Sequence, residues 1–342
     1  MNILVFSTVF HPAIGGLENQ TLILLKEFIK NGHTVKVITD QKQHLPTKDF
    51  EIYDSPSLFK KIRLFLWCNA YYMPNISLKG VWLLLFNPIL LQRKKWIVSH
   101  NDFYLENKVS YKIRLKRFLI KFASGNISVS SSVAGYINTD STVIYNAYDD
   151  SVFKLYPDEI RNCDVVFLGR LVSQKGCDIL VKAFSKIDPT YHLTIIGDGP
   201  EKSKLKHLVQ ELGIKDRVKF MGTIRGVELA KLLNRHKIMV VPSASSEGFG
   251  MVVLEGMACG CKMIASNAAG LVEAINGYGE IFEMNNVDEL AYVLTRELTR
   301  HNGDPVLTAP IQEYLANHNR SIVSSRYLEL FVRRNIQQSE PA

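Results

Sequence analysis

The sequence predicts an α/β chain folded as two doubly wound, parallel-sheet domains. Three observations carry that expectation. The chain has 342 residues, enough for more than one core. Short apolar runs alternate with stretches of helical period in both halves, the signature of βα units. Glycine-rich loops follow several of the apolar runs, where parallel sheets hold ligands.

Taken in order, Ile3-Leu4-Val5-Phe6 reads as the first strand. A start at Met1 without a basic segment or cleavage site reads as a strand and not as a signal peptide. A loop carrying Gly15 and Gly16 follows, then a helix through Leu22, Ile23, Leu25 and Phe28 that stops at Asn31-Gly32. Val35–Thr39 is the next strand, which completes a βαβ unit. Residues 41–95 are less regular. Trp96–Ser99 reads as a strand, so His100 stands at its C-terminal end, on the same rim as Gly15-Gly16. The next helix, over 108–122, carries Lys108, Lys112, Arg114, Lys116, Arg117 and Lys121 and no acid. Val109, Ile113, Phe118 or Leu119, and Phe122 line one of its sides. With Trp67, Tyr71, Tyr72 and Trp82 upstream, the six cations are candidates for contact with an anionic membrane. A solvated helix face is the plain alternative. Strands at Ile127–Ser130 and Thr142–Asn146 close the first domain.

The polar, proline-containing stretch from about Asp149 to Cys163 holds the boundary, so the domains are expected at 1–157 and 158–312. A helical tail, 313–342, is expected to pack back on the first domain. The second half repeats the alternation. Val165–Leu168 leads into Gly169-Arg170, with Lys175-Gly176 close behind. An arginine fork and a lysine point charge in one loop suit a diphosphate. His192–Ile196 ends in Gly197-Asp198-Gly199-Pro200, and Val218–Met221 in Gly222-Thr223. Ile238–Val241 precedes Glu247-Gly248-Phe249-Gly250, and Glu255 lies within the helix that follows. The amides at a helix N-terminus attract phosphate, and a carboxylate accepts two hydroxyls of a sugar diol. A solvated loop before an ordinary amphipathic helix is the plain alternative here.

Composition narrows the classes. The net charge is +8, and residues 1–150 hold 18 basic and 11 acidic side chains, so the excess belongs to the first half. That field suits anionic lipid, nucleic acid or phosphorylated substrates. No recognition motif with stacking aromatics supports nucleic acid. The five cysteines form no C-x-x-C pair and read as free thiols. The longest apolar run, near 81–91, is shorter than the roughly 20 residues that a bilayer-spanning helix needs.

Glu247-x7-Glu255, with Gly248-Phe249-Gly250 inside and Ala258-Cys259-Gly260 after it, resembles the retaining family 4 glycosyltransferases. Gly15-Gly16, His100, Gly169-Arg170 with Lys175-Gly176, and Gly197–Pro200 extend the resemblance over nearly the whole chain. It implies the GT-B fold, two Rossmann-like domains facing across a cleft. It also implies roles. Gly16 would approach the donor's phosphate or sugar, and His100 would hydrogen-bond the sugar. Arg170 and Lys175 would neutralise the diphosphate, Glu247 would bind sugar hydroxyls and Glu255 the ribose. The amides of Phe249 and Gly250 would help hold the donor, with the base near Gly222 and Thr223. No metal or cofactor is expected, since the two cations serve the leaving group and no Asp-x-Asp occurs.

Three positions depart from the family pattern. Asn146-Ala147 replaces a common Asn-Gly, and Ala269-Gly270 before Glu273 replaces a Gly-Gly. Gly260-Cys261-Lys262 replaces Gly-x-Pro and puts a cation near the expected site. The expected substrates are a UDP- or GDP-sugar and a glycan or lipid-linked acceptor at the inner membrane face, in surface-polysaccharide assembly. A non-catalytic nucleotide-sugar-binding subunit and a GT-B epimerase are the alternatives.

Overall fold

A computed structural model describes residues 1–8, 10, 15–40, 49–85, 94–103, 110–301 and 303–332. The chain forms two compact units, Met1–Ala147 with Arg320 onward, and Tyr148–Asn319. The crossings fall after Ala147 and Asn319, against the 157/158 and 312/313 divisions expected from composition.

The first unit contains β1 (Asn2–Ser7), α1 (Gly16–Lys30), β2 (Thr34–Thr39), β3 (Glu51–Asp54), α2 (Leu58–Trp67), β4 (Ala70–Met73) and α3 (Leu78–Leu85). Then come β5 (Lys95–His100), α4 (Tyr111–Leu119), β6 (Gly125–Ser128), α5 (Ser131–Ile137) and β7 (Thr142–Val143). The sheet order is β3-β2-β1-β4-β5-β6-β7 and, among the described residues, its strands pair in parallel. Ile3, Leu4, Val5 and Phe6 are all fully buried, because helices cover both faces of such a sheet.

The second unit contains β8 (Cys163–Leu168), α6 (Cys177–Phe184), β9 (Leu193–Ile196), α7 (Lys202–Glu211), β10 (Val218–Gly222), α8 (Gly226–Asn234) and β11 (His236–Val241). It continues with α9 (Met251–Ala258), β12 (Lys262–Ser266), α10 (Ala269–Ile275), β13 (Glu280–Phe282), α11 (Val287–Arg300) and α12 (Ala309–Ala316). Its parallel sheet runs β10-β9-β8-β11-β12-β13. In both sheets the chain starts in the middle, works to one edge and returns to the other side. The order therefore reverses between β1 and β4 and between β8 and β11, where doubly wound sheets hold ligands.

The last described helix, α13 (Arg320–Val332), belongs to the first unit. Its Phe331 packs edge-on against Phe28 at 5.7 Å and Tyr72 at 5.9 Å, and Tyr327 meets Tyr72 at 6.0 Å. Val323, Tyr327 and Phe331 share one apolar cluster with Val5 and Leu25.

This packing corrects one expectation. Tyr71 and Tyr72 are not interfacial. They are adjacent β4 residues on a sheet covered on both faces, 0% and 1% exposed. The Tyr71 hydroxyl donates to the Gly80 carbonyl, and Tyr72 meets Ser99 at 2.8 Å. Trp67 is half-buried under the Lys36 ammonium, 4.8 Å from its ring.

Candidate functional site

At the switch point of the second sheet, backbone contacts bind neighbouring loops into one rim. The Gly197 amide donates to Gly222 O at 2.7 Å, and the Leu171 amide to Asp198 O at 2.9 Å. A Cβ on Gly197, whose φ is +140°, would stand 1.9 Å from Gly169 O, so only glycine permits this approach. The loops after β8 and β11 are joined in the same way. The Ala244 amide donates to Gln174 O at 2.8 Å, and a Cβ on Gly176 would stand 1.8 Å from Pro242 O.

That junction brings Lys175 onto Glu247. The Lys175 ammonium donates to Glu247 Oε1 in a part-buried ion pair. Ser243 Oγ donates to the same oxygen at 2.7 Å, and Ser266 Oγ donates to Ser243 O at 2.8 Å. Glu247 is thus held in one orientation by a charge and a hydroxyl, at the C-terminal ends of β11 and β12. Arg170 is exposed, and its side chain makes no hydrogen bond or ion pair with a described residue. Gly169 lies at the loop's start, with Phe167 the nearest group to a built Cβ at 3.3 Å.

Gly248 and Phe249 are buried, and Gly250 has φ +86° at the entry to α9. The Phe249 ring is 2% exposed, so only its backbone remains for a ligand role. A Cβ on Gly270 would stand 2.2 Å from Glu247 O, so the first turn of α10 supports the loop directly. Glu255 is buried within α9. Burial, reinforced by the like charge of Asp149, pushes its carboxyl up to about 7. Gly222 has φ +68° and nothing within 4 Å of a built Cβ, and Thr223 is exposed next to it.

The cation expected near the site is elsewhere. Lys262 begins β12, at the end of the strand opposite Ser266, where it pairs with Glu280 at 3.2 Å and Glu297 at 3.7 Å.

In the first unit, Gly15 caps α1 without a side chain and Gly16 is its first residue. The Glu18 carboxylate folds against Gly15, 2.3 Å from a built Cβ, whereas nothing lies within 4 Å of one on Gly16. His100 ends β5 and is fully buried, with Nε2 3.0 Å from Asn126 Oδ1. Asn126 donates its amide to Ile120 O, so Oδ1 accepts and Nε2 carries the proton. Burial holds the imidazole's pKa down at about 4, so the ring is neutral at pH 7.

The basic helix divides by face. Lys112, Arg114 and Lys121 are exposed, as are Tyr111, Leu115, Phe118 and Phe122. Lys116 and Arg117 are half-buried. Burial lowers the Lys116 pKa, and the Arg117 guanidinium lies 5.1 Å from the Tyr136 ring. Lys108 and Val109 lie outside the described residues. A second such surface is on α2, where Phe59 is 84% and Leu66 52% exposed beside Lys60 and Arg63. No described helix is long and apolar enough to cross a membrane.

Sequence reasoning missed Ser243, Gly270 and α2. Gly270 had a signal, since it is the glycine kept where the resembled pattern has two. Ser243 had none, because a serine after Pro242 reads as an ordinary loop residue.

Residues 161–302 match the family model described as Glycosyl transferases group 1. An uncharacterized glycosyltransferase of Methanocaldococcus jannaschii is 29% identical over 309 residues, which is 83% of this chain and 84% of that protein. The phosphatidylinositol N-acetylglucosaminyltransferase gpi3 subunit of Schizosaccharomyces pombe is 28% identical over 344 residues, 90% of this chain and 75% of that protein. The crystal structure of Anabaena HepE in complex with UDP-glucose has TM-score 0.79 at 21% identity, with 96% of this chain and 98% of that chain covered. The fold, two parallel-sheet Rossmann-like units, is thus that of GT-B glycosyltransferases.

Proposed function

We propose that this chain, which carries a Glycosyl transferases group 1 domain over residues 161–302, is a retaining glycosyltransferase. It moves a sugar from a nucleotide-sugar to a glycan or lipid-linked acceptor. The observation that carries the reading is the Lys175–Glu247–Ser243 cluster at the switch point of the second sheet. A donor diphosphate exchanges places with Glu247 as the partner of Lys175, and the released carboxylate accepts sugar hydroxyls. Arg170 adds a second cation. As the glycosidic bond to phosphate breaks, its electron pair goes to the diphosphate. Fixed positive charge at that oxygen is then the main catalytic contribution. The same oxygen takes the proton of the acceptor hydroxyl as the new bond forms on the same face. Glu255 binds the ribose, Gly222 and Thr223 border the base, and the Gly248–Gly250 backbone cradles the sugar.

No metal takes part in this reading, so chelation leaves the rate unchanged. UDP is the favoured nucleotide, because the HepE structure of the same fold holds UDP-glucose. The acceptor is membrane-borne, as the exposed aromatic and basic faces of α4 and α2 suit an anionic bilayer from the cytoplasmic side. The relative whose name carries phosphatidylinositol is consistent with that acceptor, and surface-polysaccharide assembly is the process we assign to this chain.

The test is transfer from UDP- and GDP-sugars by the purified chain, with the product anomer read by NMR. Lys175→Ala and Glu247→Ala should each lower kcat about 100- to 1,000-fold with unchanged melting. Full activity in both variants overturns the assignment.

A further inference from the structure

We propose that His318 is a positioning residue for the donor loop, acting through the buried ring of Phe249. The proposal rests on the donor reading above only in its nucleotide arm. Phe249 lies between Glu247 and Gly250, and its ring points away from solvent. It stacks nearly parallel on the His318 imidazole, with centroids 5.8 Å apart and planes 13° apart. His318 is 4% exposed, and its ring lies 4.4 Å from that of Tyr314. Its Nδ1 is 2.8 Å from the Tyr314 carbonyl, which can only accept, so Nδ1 carries a proton and the ring's rotation is set.

The support continues beyond the pair. The Tyr314 hydroxyl donates to the Ala274 carbonyl at 2.9 Å, near the C-terminal end of α10. The other end of α10 bears Gly270, which lies against the Glu247 backbone. The donor loop therefore rests on α10 from one side and on the Phe249–His318–Tyr314 stack from the other, and Tyr314 joins the two supports. The His318 carbonyl also accepts the Tyr148 amide at 3.2 Å. These are the penultimate and the first residue of the second unit. Stacking restrains the ring plane of Phe249, and with it the direction of the flanking amides and of the Glu247 carboxylate.

Three full-length variants test this. His318→Ala removes the ring, His318→Phe keeps a flat ring without the nitrogens, and His318→Asn keeps a donor without the ring. Amide hydrogen exchange of the ligand-free chain is followed at residues 246–251, with β8 and β11 as internal references. His318→Ala and His318→Asn should speed exchange in the loop about tenfold with the references unchanged, and His318→Phe should restore slow exchange. Binding of UDP and GDP, and donor KM against kcat where transfer is seen, form the second arm. His318→Ala should raise nucleotide Kd and KM about tenfold, with rescue by His318→Phe. Unchanged exchange in the loop overturns the proposal, and so does equal acceleration of the loop and both strands, which marks plain core packing. If the unaltered chain binds neither nucleotide, the donor reading fails, while the exchange arm still decides the role of His318.

Discussion

Glu255 is a carboxyl that folding disfavours in its charged form. Its pKa is about 7 in the folded chain and near 4.5 when exposed. Between those values the native state holds the proton that the unfolded state releases. Stability therefore falls as pH rises through that window, by about 3 kcal/mol in full. Glu255→Gln should raise the melting temperature of the ligand-free chain at pH 8 and leave it nearly unchanged at pH 5. Thermal denaturation at the two pH values checks this, and an equal offset at both counts against it. The same variant should weaken nucleotide binding, because an amide is a poorer acceptor for a ribose diol. At this scale the sequence was informative where chemistry and spacing coincide, as for Lys175 and Glu247, which the fold joins in one ion pair. Ser243 and His318 were not legible. Their roles arise from contacts between loops and helices brought together by the fold, and serine and histidine are common residues in such places.

Helices with exposed apolar rows set the next scale. Along α4 and the 3-10 turn that continues it (Ile120–Phe122), Tyr111, Leu115, Phe118 and Phe122 recur at spacings of four, three and four residues and are all exposed. Amphipathic period alone does not tell an inward apolar face from an outward one. For that reason the expected line through Ile113 differs from the observed exposed row, and Lys116 and Arg117 turn inward. Replacing Leu115, Phe118 and Phe122 together by Ser should weaken sedimentation with anionic vesicles at least as much as removing Lys112, Arg114 and Lys121. Nucleotide binding should be unaffected. Equal sedimentation of all three proteins would count against a membrane role for this face. The region of α2 and α3 resisted sequence reading for a related reason. Its strands β3 and β4 are four residues each, too short for alternation to register.

Across the whole molecule, βα alternation made both sheets legible, because each parallel strand needs a crossover helix and leaves a short apolar run. The return of the tail to the first unit was expected, but its pairing with α1 was not legible, since it joins residues some 300 apart in sequence. This separation distinguishes the two units experimentally. The second is one continuous stretch, so residues 148–319 expressed alone should melt cooperatively and bind the same nucleotide as the full chain. Residues 1–147 alone leave uncovered the surface that α13 buries, and should be aggregation-prone until a segment carrying 320–332 is added. Circular dichroism melts and size-exclusion profiles of the two fragments check both outcomes, and a soluble, cooperatively melting 1–147 would contradict the second.

The order in which α1 and α13 appear has a further consequence during synthesis. When Ala147 has left the ribosome, the first sheet is complete in strands but lacks the helix that covers Phe28 and Tyr72. The missing piece lies beyond the 172 residues of the second unit. At about 5–20 residues per second its arrival takes on the order of ten to forty seconds. For that interval a greasy, half-covered sheet is tethered beside a second unit still being made. The nascent chain should therefore depend on holdase chaperones more than its finished fold suggests, and a premature stop just before Arg320 should be cleared as a misfolded product even though the donor loop is intact.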